Sequence, residues 1–269
     1  MKKLLLALAT AALVAACATT TSPTGRTQYV GAVPQDQLDQ LGAQAFVEMK
    51  GKQQLSTNRS HNAYVTCVVQ AVVRELPADQ RAIAWESAVF ADDSPNAFAL
   101  PGGKVGVNTG IFTVARDQDQ LAAVIAHEIG HVIARHHDER ITRQYGAAGA
   151  LQVVGGLLGA RYGEGVGQAA MQGGSIAAQG LFLLPGSRAQ ETEADVVGQE
   201  LMARAGFDPR KAVGLWENMI TASGGNRSPE WLSTHPNPQA RISEMQSRAN
   251  GLLPLYEQAR ASGRQPACR

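Results

Sequence analysis

The sequence lacks any excess of charge: 24 lysines and arginines stand against 23 aspartates and glutamates, without a basic run. A chain with no basic patch or stripe has no electrostatic footprint for nucleic acid, and that class of partner is not expected. An apolar stretch of the ~20 residues needed to cross a bilayer is missing too. The run from Leu4 to Val14 and the neutral stretch from Gly146 to Ala160 are both too short. No internal repeat is evident. Cysteine is scarce, with only Cys17, Cys67 and Cys268.

What is present begins with a secretory pattern: Lys2 and Lys3, then the apolar run, then Ala15 and Ala16 directly before Cys17. Val14-Ala15-Ala16-Cys17 resembles a bacterial lipobox, so residues 1–16 are expected to be removed and Cys17 to carry lipid. Ala18 is not the aspartate that retains such proteins at the inner membrane. The expected location is therefore the periplasmic face of the outer membrane, held by the lipid. Cys67 and Cys268 then remain in an oxidising compartment as the candidate pair for a disulfide tying the C-terminal tail to the body.

The remaining 253 residues suffice for one large domain or two small ones. Residues 17–35 are rich in Thr, Gly and Pro and read as a flexible tether. A folded domain is expected over 36–250, with 251–269 as a tail. Leu38, Leu41, Ala45 and Met49, then Tyr64, Val65, Val68, Val69, Val72 and Val73, recur at helical spacing. Turn residues at Ser94-Pro95-Asn96 and Pro101-Gly102-Gly103 separate three short strands, Trp85–Phe90, Asn96–Leu100 and Lys104–Asn108, expected as a small meander. Asp117 and Gln120 have the spacing of a capping box that opens a helix. Residues 146–180 hold eleven glycines and only two charged side chains, Arg161 and Glu164. A mobile loop, a close-packed hairpin over the site and a membrane-touching lid all remain open for them. Three further helices follow. The first spans about Gln190 to Ala205 and stops at Gly206; the others open at Asp208-Pro209 and Asn237-Pro238.

The capped helix contains His127-Glu128-Ile129-Gly130-His131. Histidines at i and i+4 project from one face, so both imidazoles can reach one ion while Glu128 lies toward its open side. That is the pattern of a metal-activated water beside a general base, and the ligand type points to one Zn2+ per chain. A third ligand must come from elsewhere, and Glu191-Thr192-Glu193-Ala194-Asp195 offers it. Glu191 and Asp195 share a helix face, whereas Glu193 points to nearly the opposite side and is expected in solvent. Glu191 is assigned as the ligand and Asp195 as the carboxylate that orients a ligating histidine. His61, His136 and His137 receive no chemical role.

Together with Ser187-Arg188, Asn96-Ala97-Phe98-Ala99-Leu100-Pro101-Gly102-Gly103, Ser233-Thr234-His235-Pro236 and Arg241, these motifs resemble the metallopeptidase family of HtpX and the CAAX-prenyl protease. Within it they are most like the periplasmic lipoprotein branch, such as LoiP and BepA. The resemblance covers roughly Asp36 to Asn250. It implies a zincin-like α+β fold, mainly helical, with the small meander beside the HExxH helix. It implies a gluzincin endopeptidase acting on unfolded or misfolded envelope proteins, with Glu128 as base. His235 and Arg241 then border the site, either stabilising an oxyanion or, for His235, taking the fourth zinc position in a latent state. The strand beginning Asn96-Ala97-Phe98 would bind substrate as an added strand. The transmembrane helices of other members and the C-terminal helical repeats of BepA are absent. A different class of function, a chaperone or assembly factor working with envelope assembly machinery, is weakened by the presence of Glu128.

Overall fold

The computed structural model of the protein describes residues 19–146, 184–222, 235 and 238–269. The signal segment, Cys17 and the glycine-rich stretch beyond Gly146 lie outside the described residues. The described chain divides into two compact units, one of residues 19–37, 135–146 and 184–189, the other of 38–134 and 190–269.

In the first unit, strands β1 (Thr19–Thr21) and β2 (Thr27–Tyr29) pair antiparallel, with Thr19 opposite Tyr29. The turn between them closes at Gly25, whose φ of 86° suits glycine. Ser22 Oγ accepts a hydrogen bond from Arg26 N at 3.1 Å. Arg26 then grips the fully buried Glu139 with Nη1 to Oε1 at 2.7 Å and Nη2 to Oε2 at 2.8 Å. Gly31 N donates to Asp138 Oδ1 at 2.8 Å. From Thr19 onward the expected tether is therefore an ordered hairpin. Its strands are too short to show periodicity, and two buried carboxylates fix it.

The second unit is mainly helical around a small sheet. Its elements are α1 (Gln35–Lys52, whose first residues belong to the other unit), α2 (Arg59–Val73), the short α3 (Ala78–Arg81), β3 (Glu86–Phe90), β4 (Ala97–Leu100) and β5 (Lys104–Asn108). A 3-10 turn at Thr109–Thr113 leads into α4 (Gln118–Ile133), and α5 (Leu184–Ala205), α6 (Lys211–Ala222), α7 (Pro238–Ala249) and α8 (Leu253–Ala261) follow. The strand order is β3-β5-β4, with β3 parallel and β4 antiparallel to β5. This corrects the expected meander. Residues 105–108 of β5 are all buried, as a central strand requires, whereas β4 alternates buried and half-buried as an edge strand does. Gly106 also makes room for its neighbour, since a Cβ there would stand 2.1 Å from Cζ of Phe98.

α2 and α4 pack together and against the sheet, α4 lying along β4. Val65, Val69, Val72, Val105, Leu121 and Ile125 belong to one buried core. Phe46 of α1 meets Phe90 and Phe98 edge-on at 6.2 and 6.4 Å. Asp117 caps α4, its Oδ1 accepting from Gln120 N at 2.8 Å. The Gln120 side chain accepts from Arg116 N, one residue before the partner a capping box would give it. α5 stops at Gly206, with φ of 83°. α6 starts at Lys211 rather than Pro209, because Asp208 Oδ1 accepts from Arg210 N and holds the intervening residues as a turn. In residues 251–269, α8 is followed by Cys268, bonded to Cys67 with Cα atoms 5.6 Å apart. Cys268 N also donates to Gln118 Oε1 at 2.9 Å.

Candidate metal centre

α4 and α5 approach closely because each presents a glycine at the contact. A Cβ on Gly130 would lie 3.0 Å from Ala194 O, and one on Gly198 would lie 3.0 Å from His127 N. That proximity puts His127 and His131 of α4 against Glu191 and Asp195 of α5. The loop before α7 adds His235, and the first turn of α7 region supplies Arg241. All six side chains and Glu128 are at most 8% exposed.

One donor atom from each of His127, His131, Glu191 and His235 lies within 4.8 Å of all the others. His127 Nε2 is 3.1 Å from His131 Nε2, 3.2 Å from His235 Nδ1 and 3.4 Å from Glu191 Oε2, and His131 Nε2 is 3.5 Å from Glu191 Oε1. Tetrahedral zinc with bonds of about 2.0–2.1 Å requires ligand atoms about 3.3 Å apart. These four distances bracket that value; His235 Nδ1 and Glu191 Oε2, 2.6 Å apart, share a hydrogen bond instead, and the four residues together could hold one metal ion.

The surrounding hydrogen bonds fix each donor. Asp195 Oδ1 is 3.0 Å from His127 Nδ1, which leaves Nε2 facing the centre. Arg241 Nε and Nη2 reach Asp195 Oδ2 and Oδ1 at 2.6 and 2.7 Å, and Nη1 is 2.9 Å from Glu191 Oε2. The guanidinium is thus held by two hydrogen bonds to Asp195, with Glu191 beside it as an ion-pair partner. Burial disfavours the charged form of His127, yet hydrogen bonding to Asp195 and Glu191 outweighs it and pushes its pKa up to about 9. Burial likewise opposes ionisation of Glu191, but His127 and His235 hold its pKa well below the usual carboxylate range. Asp195 is also lowered against its burial, by Arg241. The shifts describe a mutually stabilising cluster in which the histidines and Arg241 favour the carboxylate anions and the carboxylates favour protonated His127. Glu128 Oε1 lies 3.4 Å from His235 Nε2, at the rim of the cluster.

The structure therefore brings together His127, Glu128, His131, Glu191, Asp195, His235 and Arg241. Glu193 is not in solvent but only 2% exposed, because α5 is enclosed along this whole stretch. Of the proposed substrate strand, Ala97 and Phe98 lie in β4, while Asn96 precedes it and accepts from Asn108 N through its carbonyl. Trp216 drew no notice in the sequence. With Ala212, Leu215 and Met219 it forms an ordinary buried stripe on α6, yet its ring lies 4.1 Å from the Arg241 guanidinium carbon.

An HExxH helix completed by an acidic ligand from a second helix is the donor arrangement of a metallopeptidase. The model of peptidase family M48 matches residues 59–249, and the chain belongs to that family. Mitochondrial metalloendopeptidase OMA1 of Schizosaccharomyces pombe is 36% identical over 204 residues, covering 73% of this chain and 55% of that protein. The beta-barrel assembly-enhancing protease of Escherichia coli K12 is 34% identical over 171 residues, covering 62% of this chain and 35% of that one. OMA1 of Danio rerio is 31% identical over 224 residues, covering 78% and 45%. The chain spans about half the length of the fungal relative it matches.

Proposed function

We propose that the protein is a zinc-dependent endopeptidase of the bacterial cell envelope that cleaves unfolded or misfolded polypeptides. In this reading it is anchored through lipid on Cys17 at the periplasmic face of the outer membrane. The observation that carries the activity is Glu128 at the edge of a four-donor cluster, because a purely structural metal site has no use for a buried base beside it. The secretory pattern before Cys17 supports the envelope. The name of the beta-barrel assembly-enhancing relative supports outer-membrane proteins as substrates and envelope assembly machinery as a partner.

His127, His131 and Glu191 would hold the zinc ion. When bound, zinc supplies a Lewis acid that polarises a scissile carbonyl and lowers the pKa of water to about 7. Glu128 takes the proton of the attacking water and returns it to the leaving amine. Asp195 keeps His127 in the tautomer that offers Nε2. Peptide enters extended along β4, whose second edge pairs with no strand among the described residues, so backbone hydrogen bonds select chains that are locally unfolded.

A second reading rests on His235. With its Nδ1 among the donors, the cluster has four protein ligands and resembles a closed site. His235 then gates the enzyme by occupying the position that catalysis needs, or keeps the site latent in a protein that holds clients.

The test digests an unfolded protein with the soluble form starting at Ala18, with its Glu128→Gln variant, and with the chelated protein before and after zinc return. Cleavage lost with Glu128→Gln and with chelation, and restored by zinc, is the expected result. A zinc-loaded wild type that cleaves nothing directs the test to His235→Ala. If that variant is also silent, the peptidase reading fails in favour of the holding factor.

A further inference from the structure

Arg241 is the cation that unites the two carboxylates of the centre, and it is 3% exposed. Its Nε and Nη2 N–H groups are directed at Asp195, and Nη1 stands 2.9 Å from Glu191 Oε2 as an ion-pair neighbour. The flat face of a guanidinium has no donors and is weakly hydrated, so carboxylates cannot hold it; an aromatic ring can. Trp216, 2% exposed, supplies that ring at 4.1 Å.

The helix that carries Trp216 is fixed. Two residues on, Asn218 Nδ2 donates to Val114 O at 2.8 Å and to Gln120 Oε1 at 3.2 Å, tying α6 to the start of α4. α7, which carries Arg241, is tied independently to α5. The buried Gln199 donates to Met245 O at 3.1 Å and accepts from Arg248 Nη1 at 2.7 Å. A small cavity lies between these helices, lined by His127, Asp195, Gln199, Trp216 and Met245. Losing the indole would enlarge this cavity, which Asp195 and His127 also line.

We infer that Trp216 is a positioning residue for the metal centre. By fixing the plane of Arg241 it keeps Glu191 and Asp195 in the places that bind zinc and orient His127. The inference rests on the zinc reading of the four-donor cluster. Altering groups that orient metal ligands typically costs about 10–100-fold in affinity, and Trp216 stands one layer further out. The expected loss on removing its ring is therefore about tenfold, at the lower end of that range.

The experiment measures zinc affinity by chelator competition and urea stability of the zinc-free protein for wild type, Trp216→Phe, Trp216→Leu and Trp216→Met. The two aliphatic replacements test loss of the ring, and the second serves if the first fails to fold. Trp216→Phe keeps an aromatic face and is expected to bind zinc within about threefold of wild type, although it too loses packing and stability. The aliphatic variants are expected to bind about tenfold more weakly. Equal loss in the phenylalanine and aliphatic variants, or no loss in any, overturns the positioning role. A wild type that takes up no zinc refutes the metal centre itself.

Discussion

Replacing Gly198 with alanine sets helix propensity against helix packing. Glycine inside a helix is about 1 kcal/mol less favourable than alanine, so local preference alone predicts stabilisation. The new Cβ, however, would stand 3.0 Å from His127 N, 3.1 Å from Ala126 C and 3.1 Å from His127 Cα. Carbon atoms sit comfortably at about 3.5–4.0 Å, so α4 and α5 must part by about half an ångström, and the obstructing atoms are backbone. Overpacking of this kind costs about 1–3 kcal/mol, leaving the zinc-free protein unchanged or up to about 2 kcal/mol less stable. The larger effect falls on the metal. His127 and His131 lie on one side of the widened contact and Glu191 on the other, at 3.4 and 3.5 Å. Sites of this kind tolerate only about 0.5 Å of displacement, so zinc affinity should fall tenfold or more. Urea denaturation with and without zinc, together with chelator competition, reads both quantities. Gly51→Ala is the control: nothing lies within 4 Å of its added Cβ, and the substitution should stabilise slightly with zinc affinity unchanged. If Gly198→Ala behaves like Gly51→Ala, the claim that a glycine contact sets the ligand spacing is wrong.

Three further outcomes are expected. Cys67→Ser opens a loop of sequence separation 201 and should lower stability by about 3–5 kcal/mol, measured by urea denaturation against reduced wild type, which should match the variant. Arg26→Ala leaves the buried Glu139 with Arg143, 2.6 Å away, and should cost about 2 kcal/mol and expose residues 19–31 to limited proteolysis. Tyr64 is pushed up to about 12 by burial and by Asp117 and Asp119. Its folded pKa exceeds the unfolded value near 10, so its contribution is complete below pH 10 and is lost as the pH rises toward 12. Tyr64→Phe should flatten stability against pH in that window, and an unchanged slope would remove Tyr64 as the cause.

The chemistry was legible where it obeyed a helical period. His127 with His131, and Glu191 with Asp195, declare themselves because i and i+4 share a face. Glu193 is buried where the sequence places it in solvent, since two residues of separation tell which side it takes but not whether that side is covered. Strand positions were readable from the turn residues around them, but strand order was not. Alternation reports faces, and which strand takes the centre depends on burial along its whole length, as in β5. The Thr19–Tyr29 hairpin escaped because three-residue strands carry no period and their anchor, Glu139, lies 113 residues from Arg26. Trp216 was hidden by its own regularity: a ring facing a guanidinium and a ring facing leucine occupy the same helical positions.

The four donors come from widely separated stretches, His235 standing 108 residues from His127 and 44 from Glu191. An unfolded or half-made chain offers an ion only the local histidine pair, and two imidazoles bind far more weakly than the complete set. Zinc uptake therefore acts as a certificate of completed folding. On the proposed peptidase reading, an incompletely folded chain has no assembled centre with which to cut its neighbours or itself, and the ion that completes the centre also favours the folded form.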